Sequence, residues 1–270
     1  MRFGWIKKKP FEEFGAYVRQ AEEYGFDFVG GVSGFFTKFS PKSIEGETGK
    51  CRLGQIGVWN LNMCHSDGAV IARGIDQLKS VVEWMREAGT SDLVIPAGTA
   101  HPDPPTVFTP HKNNLKEEAF SRFVENMRRV VSICEEEGIV LAIEPHILSM
   151  LNTKERCAQL IKEVSSPNLK INMDVFNLMG IHEYWQSTEY IGQAFDMLDG
   201  MYTSAHIKGI VIKPQQIFHL SEAEPGDGDV DYAELVRRLQ AGLPEDGVAY
   251  IEHTEDENVA KSLRFLKSFL

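Results

Sequence analysis

No stretch of the 270-residue chain reaches the eighteen or so consecutive apolar residues of a membrane span, and no basic N-terminal start leads into a long apolar region. The chain therefore reads as soluble, unexported and cytoplasmic, with no membrane partner. Cysteine is sparse: Cys51, Cys64, Cys134 and Cys157 are scattered without a C-x-x-C pair, which argues against a zinc knuckle or a redox couple and leaves reduced thiols, two of them on predicted helices. Positive charge is also short. Lys and Arg number 28 against 39 Asp and Glu, a formal net charge of −11, whereas a phosphate-backbone partner calls for a basic patch or stripe; nucleic acid is not expected. Low-complexity tracts and dividing linkers are missing as well, so one domain over residues 1–270 is expected. That length matches a single eight-fold barrel, and 43% hydrophobic residues suffice for one large core.

What is present is an alternation. Phe11 to Glu23 has helical spacing, with Phe14, Tyr17, Val18 and Ala21 on one face, and Gly25 ends it before the strand-like Phe26-Asp-Phe-Val29. Asp67 to Glu87 repeats the pattern and leads to the strand Asp92–Pro96; Leu115 to Glu137 is a long amphipathic helix before a strand that ends at Glu144. Further helices are predicted at Thr153 to Val164, Trp185 to Leu198, Tyr232 to Leu239 and Val259 to Leu270, and early strands at Arg2 to Ile6 and Leu53 to Asn62. Strands alternating with helices imply a parallel sheet, here an α/β (β/α)8 TIM barrel. Its second unit is irregular: the poorly helical segment between Val32 and Cys51 predicts a long loop or short helix, with Phe35, Phe36 and Phe39 covering the barrel's outer ring rather than lining a pocket.

Four short apolar runs end in a metal-ligating residue type. They are Gly138-Ile-Val-Leu-Ala-Ile-Glu144, Asn168-Leu-Lys-Ile-Asn-Met-Asp174, Met201-Tyr-Thr-Ser-Ala-His206 and Gly247-Val-Ala-Tyr-Ile-Glu252. A charge closing a buried strand must be paired or bound to a metal, and four such endings suggest a shared partner. Three carboxylates and one imidazole form an oxygen-rich set suited to one divalent ion, Mn²⁺, Mg²⁺ or Co²⁺, with Zn²⁺ also accommodated. Lys208, two residues beyond His206, shares its strand face if the alternation holds, and adds positive charge at the mouth. His253 should face away from Glu252 by the same alternation and pack outside the barrel.

Laid in order, Glu144-Pro-His, Asp174, Ala-His206-Ile-Lys208, Pro225-Gly-Asp-Gly-Asp-Val-Asp231 and Ile-Glu252-His resemble the xylose isomerase-like barrel superfamily of sugar isomerases and epimerases. The resemblance implies that Glu144, Asp174, His206 and Glu252 hold one divalent ion, first of all Mn²⁺, at the C-terminal mouth. It also implies that Glu144 and Glu252 face the substrate carbons as acid–base groups. The expected function is a metal-dependent sugar isomerase or epimerase that moves a proton next to a carbonyl through a metal-stabilised enediolate, acting on a small sugar or keto sugar. Such barrels often self-associate, which leaves a homo-oligomer open.

Several residues depart from one branch of that family. Where ketose epimerases carry a His three positions after the Asp ligand, an Arg six after the metal His and a second Glu six after the first, this chain has Asn177, Ile212 and Met150, which disfavours a ketose 3-epimerase. Asn177 remains a substrate-binding candidate, as do Lys208, His101 in Ala97-Gly-Thr-Ala-His101, and Trp59, whose ring can stack on a sugar face. His146, two positions past Glu144, is a candidate catalytic base. It favours the alternative of a lyase, dehydratase or decarboxylase acting on a keto sugar or oxidised glycoside. A non-catalytic sugar-binding subunit is the opposing reading, and possession of all four ligands weighs against it.

Overall fold

The alternating apolar runs and amphipathic helices assemble, in a computed structural model that describes residues 1–217 and 219–270 apart from the Glu45 side chain, into a closed parallel barrel. Its strands are β1 (Arg2–Ile6), β2 (Phe28–Val32), β3 (Arg52–Gly57), β4 (Asp92–Pro96), β5 (Val140–Glu144), β6 (Leu169–Met173), β7 (Tyr202–Ile207) and, after the hairpin of β8 (Gly209–Ile212) and β9 (Leu220–Ala223), β10 (Val248–Ile251). Around the barrel the order is β1-β2-β3-β4-β5-β6-β7-β10, closing onto β1. The hairpin pairs antiparallel to itself and stands outside the barrel sheet. The chain is thus an α/β (β/α)8 TIM barrel.

The helices are α1 (Phe14–Tyr24), α2 (Ser33–Phe36), α3 (Pro41–Glu47), α4 (Gly68–Ala88), α5 (Glu117–Glu136), α6 (Lys154–Val164), α7 (Ile181–Trp185), α8 (Ser187–Met197), α9 (Tyr232–Gly242) and α10 (Val259–Lys267). Local chemistry sets their ends. The Asp67, Thr153 and Asp231 side chains accept the Ala69, Arg156 and Glu234 amides at the starts of α4, α6 and α9. Gly25 and Gly89 take left-handed backbone to stop α1 and α4. Phe120, Phe123, Met127 and Val130 of α5 are buried, as are Leu78, Val82 and Met85 of α4, so the predicted apolar stripes face the barrel. Among the described residues no helix is long and apolar enough to cross a membrane.

Three predicted boundaries shift for local reasons. The second strand begins at Phe28 rather than Phe26, because the Asp27 carboxylate accepts the Phe3 amide and so fixes the turn before the strand. The third stops at Gly57, leaving Trp59 on the following loop. The helix predicted over Trp185 to Leu198 breaks at Gln186, and Ser187 then accepts the Asp231 amide. In the irregular second unit, Phe36 is fully buried against Phe11, Phe14 and Trp84, while Phe35 and Phe39 pack beside Phe11. The segment covers the barrel, as expected from its aromatic content. All four cysteines are buried and free, and burial raises each thiol to about 12, which makes them inert.

The barrel interior depends on missing side chains. Gly4 and Gly54 leave room for the Tyr250 ring: a Cβ at Gly4 would lie 2.2 Å from Tyr250 Cδ1, and one at Gly54 would lie 2.2 Å from its hydroxyl. That hydroxyl accepts the Gln55 amide at 2.9 Å. Gly4→Val should therefore overpack the barrel and lower stability by about 1–3 kcal/mol. A reduced urea midpoint with an unchanged m-value is the expected result.

Candidate metal centre

Strand geometry brings four side chains to one point. Glu144 closes β5, Asp174 and Glu252 follow the last residues of β6 and β10, and His206 is the penultimate residue of β7. These are four consecutive strands of the barrel, β5-β6-β7-β10, so Glu144 and Glu252 form the two ends of the row with Asp174 and His206 between them. All four are buried, and one donor atom from each lies within 4.8 Å of the others. Nitrogen and oxygen ligands sit at roughly 2.0–2.4 Å from a divalent ion, so ligands across a coordination sphere are about 4–5 Å apart. The spacing is that of one shared ion.

Hydrogen bonding supports the fit. His206 Nδ1 lies 2.7 Å from Glu144 Oε2 and 2.9 Å from Glu252 Oε2, yet it makes no properly directed hydrogen bond to either. Asp174 Oδ2 likewise lacks one, although Lys208 Nζ is 2.7 Å away. Two members of the four-residue cluster thus each carry a buried polar atom that is held by charge pairing and not by a directed hydrogen bond, which suits a metal ligand set whose lone pairs hydrogen bonding does not use. The other ring nitrogen, His206 Nε2, is 2.5 Å from Gln55 Oε1, a contact that makes it the donor and turns Nδ1 inward as the ligand atom.

Charge gives the same answer. Lys208 Nζ bridges Asp174 and Glu252, at 2.7 and 2.8 Å, and is itself buried. Burial would strip its proton, but Asp174, Glu252 and Glu144 outweigh that and hold the ammonium well above its usual range. Three carboxylates against one fixed positive charge leave two negative charges, the complement of one divalent cation beside a neutral imidazole. Without the cation, burial alone would lower His206, but Glu252 and Glu144 dominate and raise it to about 10. Glu252 is held well below the usual carboxylate range despite its burial, by His206 and Lys208, whereas burial raises Asp174 despite Lys208.

Asn172 donates to Glu144 Oε2 at 3.2 Å, and Asn177 donates to Glu144 Oε1 at 2.8 Å while its amide donates to Asp174 Oδ1 at 3.0 Å. Beneath the cluster, Gln55, Asn172, Ser204 and Asp92 continue a polar column down the barrel interior. Gln55 Nε2 reaches Ser204 Oγ at 3.1 Å and the Asp92 carboxylate at 3.3 Å. Burial raises Asp92 to about 6 in spite of those bonds.

Above the cluster is a cavity of about 470 Å³ lined by Trp59, Phe108, His146, Asn177, Lys208 and His253, among others. Its size is in the range of small-molecule sites. The sequence-derived candidates Trp59, His146, Asn177 and Lys208 meet there, with Trp59 folded back over Gly57, where a Cβ would lie 2.5 Å from the indole nitrogen. His101 does not line this cavity. It stands on the loop after β4, edge-on to His111 at 4.8 Å between ring centres. Met150 is buried, and Ile212 closes strand β8, so neither puts a polar group at the mouth. His253 is a correction: it lines the mouth instead of packing outside, because its φ of 55° breaks the strand alternation. Gln55, Asn172 and Phe108 were not anticipated; a polar residue inside an apolar strand run is the signal that marks Gln55 and Asn172.

The family described as xylose isomerase-like TIM barrel matches residues 18–269. D-psicose 3-epimerase of Enterocloster bolteae is 27% identical over 187 residues, covering 66% of this chain and 54% of that protein. The match thus spans about half the length of this curated relative. A 3-keto-D-glucoside 4-epimerase from E. coli superimposes with a TM-score of 0.75 at 17% identity, covering 99% of both chains. A probable 3-DHS dehydratase from Bacillus anthracis gives 0.76 at 15%, again covering 99% of both. At these identities the two structures establish the shared barrel.

A folded-state pKa for His206 above the ordinary 6.5 stabilises the metal-free protein fully below pH 6.5, and that contribution is lost as pH rises toward 10. Ion binding must displace this proton, so added Mn²⁺ should raise the melting temperature by a margin that widens from pH 6 to pH 9. Melting curves with and without Mn²⁺ across that range check the sign. A margin that narrows with pH would contradict His206 as a ligand.

Proposed function

Because the chain belongs to the xylose isomerase-like TIM-barrel family, we propose that it is a divalent-metal-dependent sugar isomerase or epimerase that transfers a proton next to a carbonyl, with residues 1–270 acting as one domain. The observation that carries this reading is the row of four donors with a carboxylate at each end, set in the floor of a cavity of about 470 Å³. Glu144, Asp174, His206 and Glu252 would hold the ion, with Mn²⁺ foremost and Mg²⁺, Co²⁺ or Zn²⁺ also suited to the donor set. When bound, the ion polarises the carbonyl and adjacent hydroxyl of a sugar, so that the neighbouring C–H becomes acidic near neutral pH.

Everything else falls to the protein. A substrate carbon seated between Glu144 and Glu252 has one carboxylate on each side. One breaks the C–H bond and takes the proton, the electron pair passes into the enediolate, and the other carboxylate delivers a proton to the opposite face or to the adjacent carbon. Lys208, locked between Asp174 and Glu252, keeps Glu252 ionised and adds positive charge beside the developing oxyanion. Trp59 and Phe108 offer ring faces to the C–H side of a sugar, and their walls exclude water from the carbanionic carbon.

A second reading rests on a specific contact. Both oxygens of Glu144 accept side-chain amides, from Asn177 and Asn172, which reduces its capacity to take a proton. His146 lines the same cavity, with Nδ1 accepting the Leu148 amide at 3.1 Å and burial and Lys208 lowering its pKa so that it stays a neutral base. One base and one Lewis acid suffice for β-elimination from a keto sugar, which would make the enzyme a lyase or dehydratase.

Solvent deuterium incorporation, followed by NMR over ketohexoses, aldoses and 3-keto glycosides with Mn²⁺-loaded protein, separates the two readings. Exchange without loss of substrate, reduced about 10²–10⁴-fold in Glu252→Gln, is expected for the isomerase or epimerase. Loss of the glycosidic or hydroxyl group, abolished by His146→Ala in protein that still binds Mn²⁺, would replace that reading with the lyase.

A further inference from the structure

His253 is one of two non-glycine residues with left-handed backbone among the described residues. The other, Ser165, has an ordinary reason, since it ends α6 and its amide bonds to Ile161. His253 ends no helix. It directly follows Glu252, whose amide still donates to Ile207 in strand register at 3.0 Å. Were the backbone to continue extended, residue 253 would point away from the face that Glu252 occupies. The left-handed turn reverses this and brings the imidazole over the mouth, with Nε2 3.8 Å from Glu252 Oε1. A conformation this sparsely populated for an L residue persists only where its surroundings hold it.

Glu222 of β9 pairs with the imidazole and fixes its orientation. Its Oε1 lies 2.7 Å from His253 Nδ1, and both residues line the mouth cavity. Nδ1 thus serves as the donor to the carboxylate, which directs Nε2 into the cavity, where Glu252 Oε1 at 3.8 Å is a charged neighbour beyond hydrogen-bonding distance. A sugar hydroxyl both donates and accepts, so it matches Nε2 in either protonation state. The location defines what lies opposite. β10 and β4 are four strands apart in an eight-strand ring, so His253 faces the loop after β4 that carries Phe108, beside Trp59 and His146. A ring between these walls turns its C–H face to Phe108 and Trp59 and a hydroxyl-bearing edge to His253.

Building on the sugar-enzyme reading above, we propose that His253, turned into the mouth by its left-handed backbone and oriented by Glu222, binds a hydroxyl of the sugar and so sets which carbon lies between Glu144 and Glu252. It is a specificity residue rather than an acid or base. Its partner Glu222 acts through it, as a positioning residue on a hairpin that lies outside the barrel sheet.

The test is calorimetric titration of Mn²⁺-loaded protein with D-fructose, D-psicose and a methyl 3-keto-glucopyranoside, comparing wild type with His253→Asn, His253→Gly and Glu222→Gln. Melting temperature and bound metal are measured on each protein, together with deuterium exchange into whichever sugars bind. His253→Asn and His253→Gly should retain the metal, melt no lower than wild type because both residues tolerate left-handed backbone, and bind sugar about tenfold more weakly. Glu222→Gln should weaken binding severalfold with the metal retained, and the sugar order of preference should flatten in all three. Unchanged sugar affinity in the His253 variants, or a lowered melting temperature with intact affinity, would overturn the proposal, as would wild-type protein that binds none of the three sugars. Sugar binding that depends on His253 without any exchange or breakdown would instead defeat the proposed reaction and leave the His253 contact standing.

Discussion

Three carboxylates buried within a few ångströms of one another are the constraint that the rest of this barrel serves. Taking even one such charge out of water is costly unless it is paired or bound to a metal, and here Glu144, Asp174 and Glu252 share one ammonium and one imidazole. Lys208 meets part of the cost by bridging two of them, and the remaining two negative charges complement one divalent ion. Removal of Lys208 alone would leave a more negative cluster with a higher barrier to staying ionised. The site is thus poised for a cation by the fold's own electrostatics.

That arrangement explains an interior that is unusual for a closed barrel. Barrel cores are ordinarily layers of branched apolar side chains. Here Gln55, Asn172, Ser204 and Asp92 run beneath the ligands as a hydrogen-bonded column, and each member is satisfied by another. Gln55 links the column to the site by fixing the His206 ring, and Asn172 does the same for Glu144. Polar groups in the core are tolerated because the network is complete, and a complete network is rigid. Tyr250 of β10, admitted by Gly4 and Gly54, ties the column across the barrel interior, its hydroxyl accepting the Gln55 amide of β3.

At the mouth the two halves of the barrel differ. Loops after β3, β4 and β5 supply Trp59, Phe108 and His146, while the segments after β1 and β10 and the β8–β9 hairpin supply Lys7, Lys8, His253 and Glu222. An aromatic wall thus faces a charged one, and the proposed sugar substrate, with a C–H face and hydroxyl edges, offers a surface to each. The relatives by sequence and by fold include sugar epimerases, and Asn177, Ile212 and Met150 all fall outside the row of four metal-ligating residue types, with Asn177 alone of the three lining the mouth cavity.

Local patterning determined a good deal. Strand β4 falls on the predicted residues, Asp67, Thr153 and Gly25 mark helix ends where their capping chemistry requires, and the four ligand types stand at strand ends because period-two alternation and turn residues define those ends within the sequence itself. The presence of His146, Asn177 and Lys208 at one mouth also follows from their places just after barrel strands, whereas Trp59, expected within the third strand, reaches it because that strand stops at Gly57. Tertiary structure decided the rest. His101 occupies an equivalent loop but turns to His111, since loop conformation is set by packing over many residues and not by position after a strand. His253 reverses its expected direction through one backbone angle and meets Glu222 some thirty residues away in sequence, and Gln55 meets His206 from 151 residues away. Contacts between residues so distant in the chain leave no local period to read, and only closure of the barrel brings them together.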